Sequence, residues 1–392
     1  MNAPKEIVVV GASLAGLRAI EALRRRGYGE RLVLVGEEAR KPYDRPPLSK
    51  QVLRGEWEPE RTELKARYDM LEVELRLGCR AISLDTRQRR VTLSDGEKLP
   101  YDALVIATGA AARNLPGGEA LAGVHTLRTW DDAVAIRATL TKGPRVAIVG
   151  AGFIGLEVAA SCRALGLPVT VVELAEVPLA HAIGEEMGRA VTELHRARGV
   201  EMRTGVSVLG FLGEREVVGL RLSDGTSVEA ELVVVGIGVV AATAWLEGSG
   251  VAVASGVVCD ARGRTNVPGV VACGDVARWE NPLFGEAMRV EHWTSAVEQA
   301  TASAQTLLEG DAAPALASVP YFWSDQYDAK FQFAGKIAPT DMLTVVEGSV
   351  AEKNLVALYG SAGKLRGVLT VNKPAALIRN RKAIGEGADV PR

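Results

Sequence analysis

Short apolar runs recur along the chain at Ile7–Val10, Leu32–Val35, Leu104–Ala107, Val146–Val149, Val169–Val172, Leu232–Val235 and Val270–Cys273. Runs this short, rich in β-branched residues and almost without polar alternation, predict strands buried on both faces, as in parallel sheets covered by helices. Residues 6–36 and 144–173 each read as strand, helix, strand. A different pattern lies between them. Val91-Thr92-Leu93-Ser94-Asp95-Gly96 and Leu220-Arg221-Leu222-Ser223-Asp224-Gly225-Thr226 alternate with period two into an Asp-Gly turn, which predicts hairpins. Each hairpin leads to a buried run that ends in glycine, Leu104 to Thr108-Gly109 and Leu232 to Gly238, where backbone must approach a ligand. The two halves therefore look like duplicates. The run Val270–Cys273, followed by Gly274-Asp275, has no counterpart in the second half and is expected to return the chain to the first sheet. After a helical stretch from Ser295 to Leu308 and a linker from Glu309 to Pro314, the remainder alternates like an antiparallel sheet, with a basic helix near Arg379.

The chemistry sits where two of these strands give way to helices. Gly11-Ala12-Ser13-Leu14-Ala15-Gly16 follows the first run, and Gly150-Ala151-Gly152-Phe153-Ile154-Gly155 follows Val146–Val149. Between a strand and a helix, such glycines let backbone N–H groups and the helix N-terminus meet a pyrophosphate. Each unit closes on an acid: Glu37 lies 26 positions after Gly11, and Glu173 lies 23 after Gly150. A carboxylate there can accept both ribose hydroxyls of an adenosine, and it repels a ribose phosphate, so Glu173 favours NADH over NADPH. The first copy carries Ser13 in place of the middle glycine, a small residue whose side chain must turn away from the phosphates. Two sites in one chain suggest two nucleotides exchanging electrons. The expected fold is α/β, with two Rossmann-like nucleotide-binding domains, the second inserted in the first, plus a C-terminal α+β domain. The expected boundaries are 1–115 with 245–315, then 116–244, then 316–392.

The 392 residues exceed one core, and a formal charge of −2 with 47% apolar residues points to neither nucleic acid nor disorder. The longest apolar runs, such as Leu232–Val240 with its internal glycines, fall short of a membrane span. Met1 to Glu6 pass straight into the first strand, leaving no room for a leader, and the expected location is the cytoplasm. Cys79, Cys162, Cys259 and Cys273 form no C-x-x-C pair and read as small buried hydrophobes; no metal site is expected. His125, His181, His195 and His292 are spread without a Ser-His-Asp pattern.

With Pro42-Tyr43-Asp44-Arg45-Pro46-Pro47-Leu48-Ser49-Lys50, Gly155-Leu156-Glu157 and Trp323-Ser324-Asp325-Gln326 added to these segments, the chain resembles the FAD-containing, NADH-dependent ferredoxin reductases of bacterial oxygenase systems, within the wider glutathione-reductase-like family. The resemblance implies FAD in the first domain, with Gly11, Ser13, Leu14, Ala15 and Gly16 on its pyrophosphate, Glu37 on its ribose, and Arg45 and Lys50 toward phosphates and isoalloxazine. It implies that Asp275 binds the ribitol, that Arg128 is a further contact, and that Ala81 and Trp293 touch FAD through backbone or packing, as Ala15 does. It places NADH on Gly150, Gly152, Phe153, Ile154 and Gly155 with Glu173, and Glu157, in the first turn of that helix, beside Lys50 at the flavin. Trp323 is implied near the isoalloxazine. Lys50, Glu157 and Trp323 are thus the expected catalytic residues. A lysine in a dry site stabilises an anionic ring electrostatically.

The partner implied is a 2Fe-2S ferredoxin, with the reductase a monomer or weak dimer. Ferredoxins are generally acidic, so Arg379, Arg381, Lys382 and Lys373 are the candidate docking cations. No cysteine occupies Leu48 to Gln51, where disulfide reductases of the wider family keep theirs, so the flavin is expected to be the redox centre. A flavin NADH oxidase or diaphorase shares every nucleotide motif, and an apoptosis-inducing-factor-like NADH-sensing flavoprotein is the non-enzymatic alternative. In one respect the chain departs from the family: Ala175-Glu176-Val177-Pro178 supplies no arginine near the NADH adenosine, a role open to Arg203. Val177→Arg is expected to lower the NADH KM in steady-state assays, and an unchanged KM would reject this account of the loop.

Overall fold

The computed structural model describes residues 4–390. Two compact units partition the chain. One holds the segment up to Asp44, Glu63–Ala111 and Val240–Pro320; the other holds Arg45–Thr62, Ala112–Val239 and the chain from Tyr321 onward.

The first unit is built on a five-stranded parallel sheet in the order Val270–Ala272, Ala103–Ile106, Glu6–Val10, Arg31–Gly36, Val73–Leu77. The strand Val270–Ala272 returns to this sheet beside Ala103–Ile106, as its lack of a counterpart predicts. Period-two geometry sends Ile7 and Val9 to one face and Val8 and Val10 to the other. On the first face they join Leu17, Ile20 and Leu23 of the helix Leu14–Arg25 and Ala296, Ala300 and Ala304 of the helix Trp293–Glu309. Those alanines repeat every fourth residue, one small face along which the two helices approach closely. On the second face Val8 and Val10 pack with Leu84, Val91, Leu93 and Trp279.

The second unit repeats the plan with the order Val200–Thr204, Val169–Glu173, Val146–Val149, Leu232–Val235, Val124–Thr126. Each unit also carries one of the expected hairpins inside a three-stranded antiparallel sheet, turned at Gly96 and Gly225, whose φ values are +90° and +84°. The chain after Tyr321 forms a five-stranded antiparallel sheet in the order Tyr321–Gln326, Ala329–Gly335, Lys364–Val371, Asn354–Ser361, Met342–Ser349.

Alternation along Tyr321–Gln326 matters most for the site. Phe322, Ser324 and Gln326 share one face, whereas Tyr321, Trp323 and Asp325 share the other. Phe322 lies 4.6 Å from the Phe153 ring, and on the same face Tyr359 Oη donates to the Ile183 carbonyl at 2.6 Å, so this face seats on the second unit's nucleotide fold. On the opposite side the helix Pro374–Gly385 brings Arg381 over the Tyr321 ring, 5.6 Å from its centre.

His195, on the helix Glu185–Ala197, is fully buried in this seam, and burial pushes its imidazole down to about 4 although a hydrogen bond to Gln326 opposes the shift. The unfolded chain binds that proton near 6.5 and the folded chain refuses it until about 4, so this contribution is complete above 6.5 and is lost as pH falls through that window. From pH 7.5 to 5.0, urea titrations should show wild type losing about 2 kcal/mol more stability than His195→Gln. Parallel pH curves for the two proteins would refute the assignment.

Candidate nucleotide and redox site

The two glycine turns are built alike, and their glycines divide by cause. A Cβ on Gly11, at φ +122°, would stand 2.1 Å from the Ala107 carbonyl oxygen, and one on Gly16 would stand 2.0 Å from the Gly11 oxygen. Gly150, at φ +100°, and Gly155 repeat the conflict, at 2.4 Å from the Gly236 oxygen and 2.2 Å from the Gly150 oxygen. These four glycines are demanded by the fold itself. Gly152 is not: its φ is −72°, and a Cβ there would meet nothing within 4 Å. Open space before a helix N-terminus is the cradle a pyrophosphate needs. Ser13 occupies the matching position as N-cap of Leu14–Arg25 without a side-chain cap bond, and neither helix has an acid in its first turn. Both turns therefore fit a dinucleotide.

The two closing acids behave differently. Glu173 Oε2 accepts the Ala151 amide at 2.6 Å and Oε1 accepts the Ala175 amide at 2.8 Å, so the carboxylate braces the glycine turn from the end of its strand. Glu37 has a side chain 71% exposed, with Arg80 Nη1 3.8 Å away. The Arg203 guanidinium bonds Glu201, Asp224 and Thr226 at 3.3, 3.0 and 2.7 Å. In the first unit, Thr108 Oγ1 donates to the Ala242 carbonyl at 2.8 Å and Gly109 turns at φ +68°. Gly274–Val276 forms a short 3-10 turn past the C-terminal end of Val270–Ala272, which puts Asp275 where ligands of open α/β sheets gather. Trp293 Nε1 donates to Asp44 Oδ1 at 2.8 Å, and Ala15 and Ala81 are buried. In the second unit, Arg45 Nη1 donates to the Arg128 carbonyl at 2.6 Å, and Gly238, at φ +92°, accepts the Arg113 amide.

The densest chemistry surrounds Glu157. Its helix begins at Phe153, so the residue stands beyond the first turn rather than in it, and the helix dipole is not what holds it. Lys50 Nζ donates to its Oε2 at 2.6 Å and Ser49 Oγ to the same oxygen at 2.5 Å. Ser324 Oγ donates to Oε1 at 2.8 Å and the Asp325 amide at 3.3 Å. With Glu157 3% and Lys50 5% exposed, a charged pair has been taken out of water, which is tolerable only with this density of hydrogen bonds. Ser161 Oγ, one turn along the helix, donates to the Ser49 carbonyl at 2.7 Å and fixes the segment that carries Lys50. Trp323 points away from this cluster, because strand alternation sends it to the face opposite Ser324.

Ser49, Ser161 and Ser324 were not singled out from the sequence. Ser49 and Ser324 lie inside motifs that were, beside residues with louder chemistry. The available signal for Ser324 was its period-two register with Phe322 and Gln326.

The chain matches the description of the pyridine nucleotide-disulphide oxidoreductases over residues 5–300 and a reductase C-terminal domain over residues 321–392. It belongs to the pyridine nucleotide-disulphide oxidoreductase family. Among its relatives, the ferredoxin–NAD(+) reductase component of a p-cumate 2,3-dioxygenase system from Pseudomonas putida is 40% identical over 85% of this chain and 82% of its own length. That of an anthranilate 1,2-dioxygenase system from Burkholderia cepacia is 38% identical over 97% of this chain and 94% of its own. A solved putidaredoxin reductase in covalent complex with putidaredoxin superposes with a TM-score of 0.94 at 32% identity, covering 99% of this chain and 95% of that one.

Despite the family's name, the described residues contain no disulfide. Burial pushes the Cys162 and Cys259 thiols up to about 12 and Cys273 further, so none offers a thiolate at neutral pH. Within this family the Gly152 cradle is testable. Gly152→Ala is expected to raise the NADH Kd by roughly tenfold, about 1.4 kcal/mol, with an unchanged unfolding midpoint. Gly155→Ala should instead destabilise the fold; equal NADH affinity in Gly152→Ala and wild type would reject the cradle.

Proposed function

We propose that this chain is an FAD-dependent NADH:ferredoxin reductase that supplies electrons to an oxygenase through a 2Fe-2S ferredoxin. The observation that carries the reading is the buried Lys50–Glu157 pair, at 2.6 Å, behind the second dinucleotide turn of a chain whose thiols are buried or unpaired. A lysine and a carboxylate stand where the disulfide branch needs sulfur. Relatives named as ferredoxin–NAD(+) reductases, matched over 82% and 94% of their own lengths, support the same reading. FAD, when bound, takes two electrons from NADH and releases them singly, which is what a one-electron iron-sulfur acceptor requires.

The chain's own residues bind, orient and set charge. Gly11 to Gly16 with Glu37, Asp275, Thr108, Gly109, Arg45, Arg128, Ala81 and Trp293 hold FAD. Gly150 to Gly155, Glu173 and Gly238 hold NADH. Lys50 presents a fixed cation that favours electron density arriving beside it, and Glu157 keeps that cation from straying. Trp323, on the opposite side of its strand, acts at the face that a ferredoxin meets. The helix Pro374–Gly385 supplies that face with exposed Arg379 and Lys382 around Ile378, which is 69% exposed. Lys373 is taken up by Glu347, Arg381 lies over Tyr321 and Lys382 Nζ stands 3.7 Å from Glu386 on the exposed helix, so these three contribute less free charge. Among the described residues no helix is long and apolar enough to cross a membrane. We assign the protein to the cytoplasm, whose reducing poise suits four unpaired cysteines.

Stopped-flow mixing with NADH or NADPH, then with a 2Fe-2S ferredoxin, tests the reading. Fast bleaching by NADH in preference to NADPH, and rapid reoxidation by ferredoxin, are expected. Reduction that only oxygen or a quinone discharges would replace it with an oxidase. Arg379→Glu with Lys382→Glu should raise the ferredoxin KM several-fold at low salt and less at high salt, and leave reduction by NADH unchanged.

A further inference from the structure

A line of hydrogen bonds leads outward from Glu157 through groups that the reaction itself does not use. Ser324 Oγ, bonded to Glu157 Oε1, lies 3.1 Å from Gln326 Nε2; Gln326 Oε1 lies 2.9 Å from His195 Nε2; and His195 Nδ1 lies 3.0 Å from the Tyr327 hydroxyl. Ser324, Gln326 and His195 are each fully buried.

The carboxylate sets the direction of the whole line. The only proton that Ser324 can offer goes to Glu157, so its lone pairs must receive, and Gln326 must turn its NH2 toward it. The Gln326 carbonyl then faces His195, which must carry its proton on Nε2. With Nε2 protonated on a neutral ring, Nδ1 is an acceptor, and Tyr327 O–H supplies it. Burial keeps the ring neutral, pushing it down to about 4. Reversing any one member would set two donors or two acceptors against each other in a seam closed to bulk solvent.

The outer end is clamped. Tyr327 holds φ +57°, Arg198 lies 4.8 Å above its ring, and Arg198 also bonds Asp328 at 2.7 Å, which Lys353 grips from the next turn.

We propose that Ser324, Gln326 and His195 form a polarised positioning relay that holds the Glu157 carboxylate in one rotamer, Oε1 outward and Oε2 on Lys50. An amide cannot pass protons along such a line readily, so the relay orients and does not conduct. Its members come from the second unit's nucleotide fold and from the C-terminal sheet, so the Lys50–Glu157 geometry exists only while those two parts are seated together. The inference rests on the reading of Lys50–Glu157 as the reductase's reaction zone.

Two measurements decide it. In the 15N-histidine spectrum of the wild-type holoprotein at pH 7, His195 should be a single neutral Nε2–H tautomer; an Nδ1–H or charged ring would overturn the relay whatever the enzyme's activity. In single-turnover reduction by NADH, Gln326→Met and His195→Phe should each slow the limiting rate roughly tenfold without changing NADH Kd, since misplaced charge loses rate before affinity. His195→Gln, which keeps a donor at the Nε2 position, should restore most of the rate. In a Glu157→Gln background, Gln326→Met should cost nothing further, where damage by mere unfolding would add. Full additivity, or an unslowed Gln326→Met beside a slowed Glu157→Gln, overturns the relay alone. An unslowed Glu157→Gln overturns the reading of the reaction zone on which it rests.

Discussion

A carboxylate withdrawn from bulk solvent is the constraint on which the second unit depends. Glu157 sits 3% exposed, so its oxygens depend on donors from the protein, and these come from two separate stretches of chain, Ser49 with Lys50 and Ser324 with the Asp325 amide. Removing one partner of a buried pair typically costs about 3–5 kcal/mol, because the other charge is stranded. The loop Arg45–Thr62 and the C-terminal sheet are therefore held to the nucleotide fold by a polar requirement as well as by Phe153 against Phe322.

The glycine turns show how the same fold separates structural from chemical demands. Gly11, Gly16, Gly150 and Gly155 exist because carbonyl oxygens lie 2.0–2.4 Å from where a Cβ would stand. Gly152 meets no such conflict: a Cβ there would face open space at the helix N-terminus, as the proposed cradle requires. A close backbone approach and an open cradle look identical as letters in a motif. They differ only in what faces them.

Departure from the family's sulfur chemistry has a physical basis as well. Three of the four thiols are buried among apolar side chains that oppose a thiolate, and Cys79 donates to Asp95 at 3.4 Å, which also raises its pKa. Where thiols are silent, a fixed charge remains as a means of tuning a redox group, and that is the role proposed above for Lys50.

Much of this was legible along the chain because strands and dinucleotide turns are local. Four-residue apolar runs define buried parallel strands, and a glycine pattern between strand and helix defines a phosphate cradle, each within a dozen residues. The duplicate plan and the returning strand Val270–Ala272 follow from the order of those runs. The nearness of Lys50 to Glu157 came from a family resemblance, since nothing in the spacing of residues 107 apart reports it. That Glu157 stands beyond the first turn, that Ser324 faces it while Trp323 turns away, and that Arg203 is tied to Asp224 were decided by helix phase, strand parity and cross-strand neighbours. Which elements form, and where glycine turns join strand to helix, is written locally in the chain, because those rules act over one turn or one pleat. Which polar groups share the buried seam around Glu157 is settled by long-range packing, because hydrogen-bond satisfaction is imposed by burial on whatever chain arrives there.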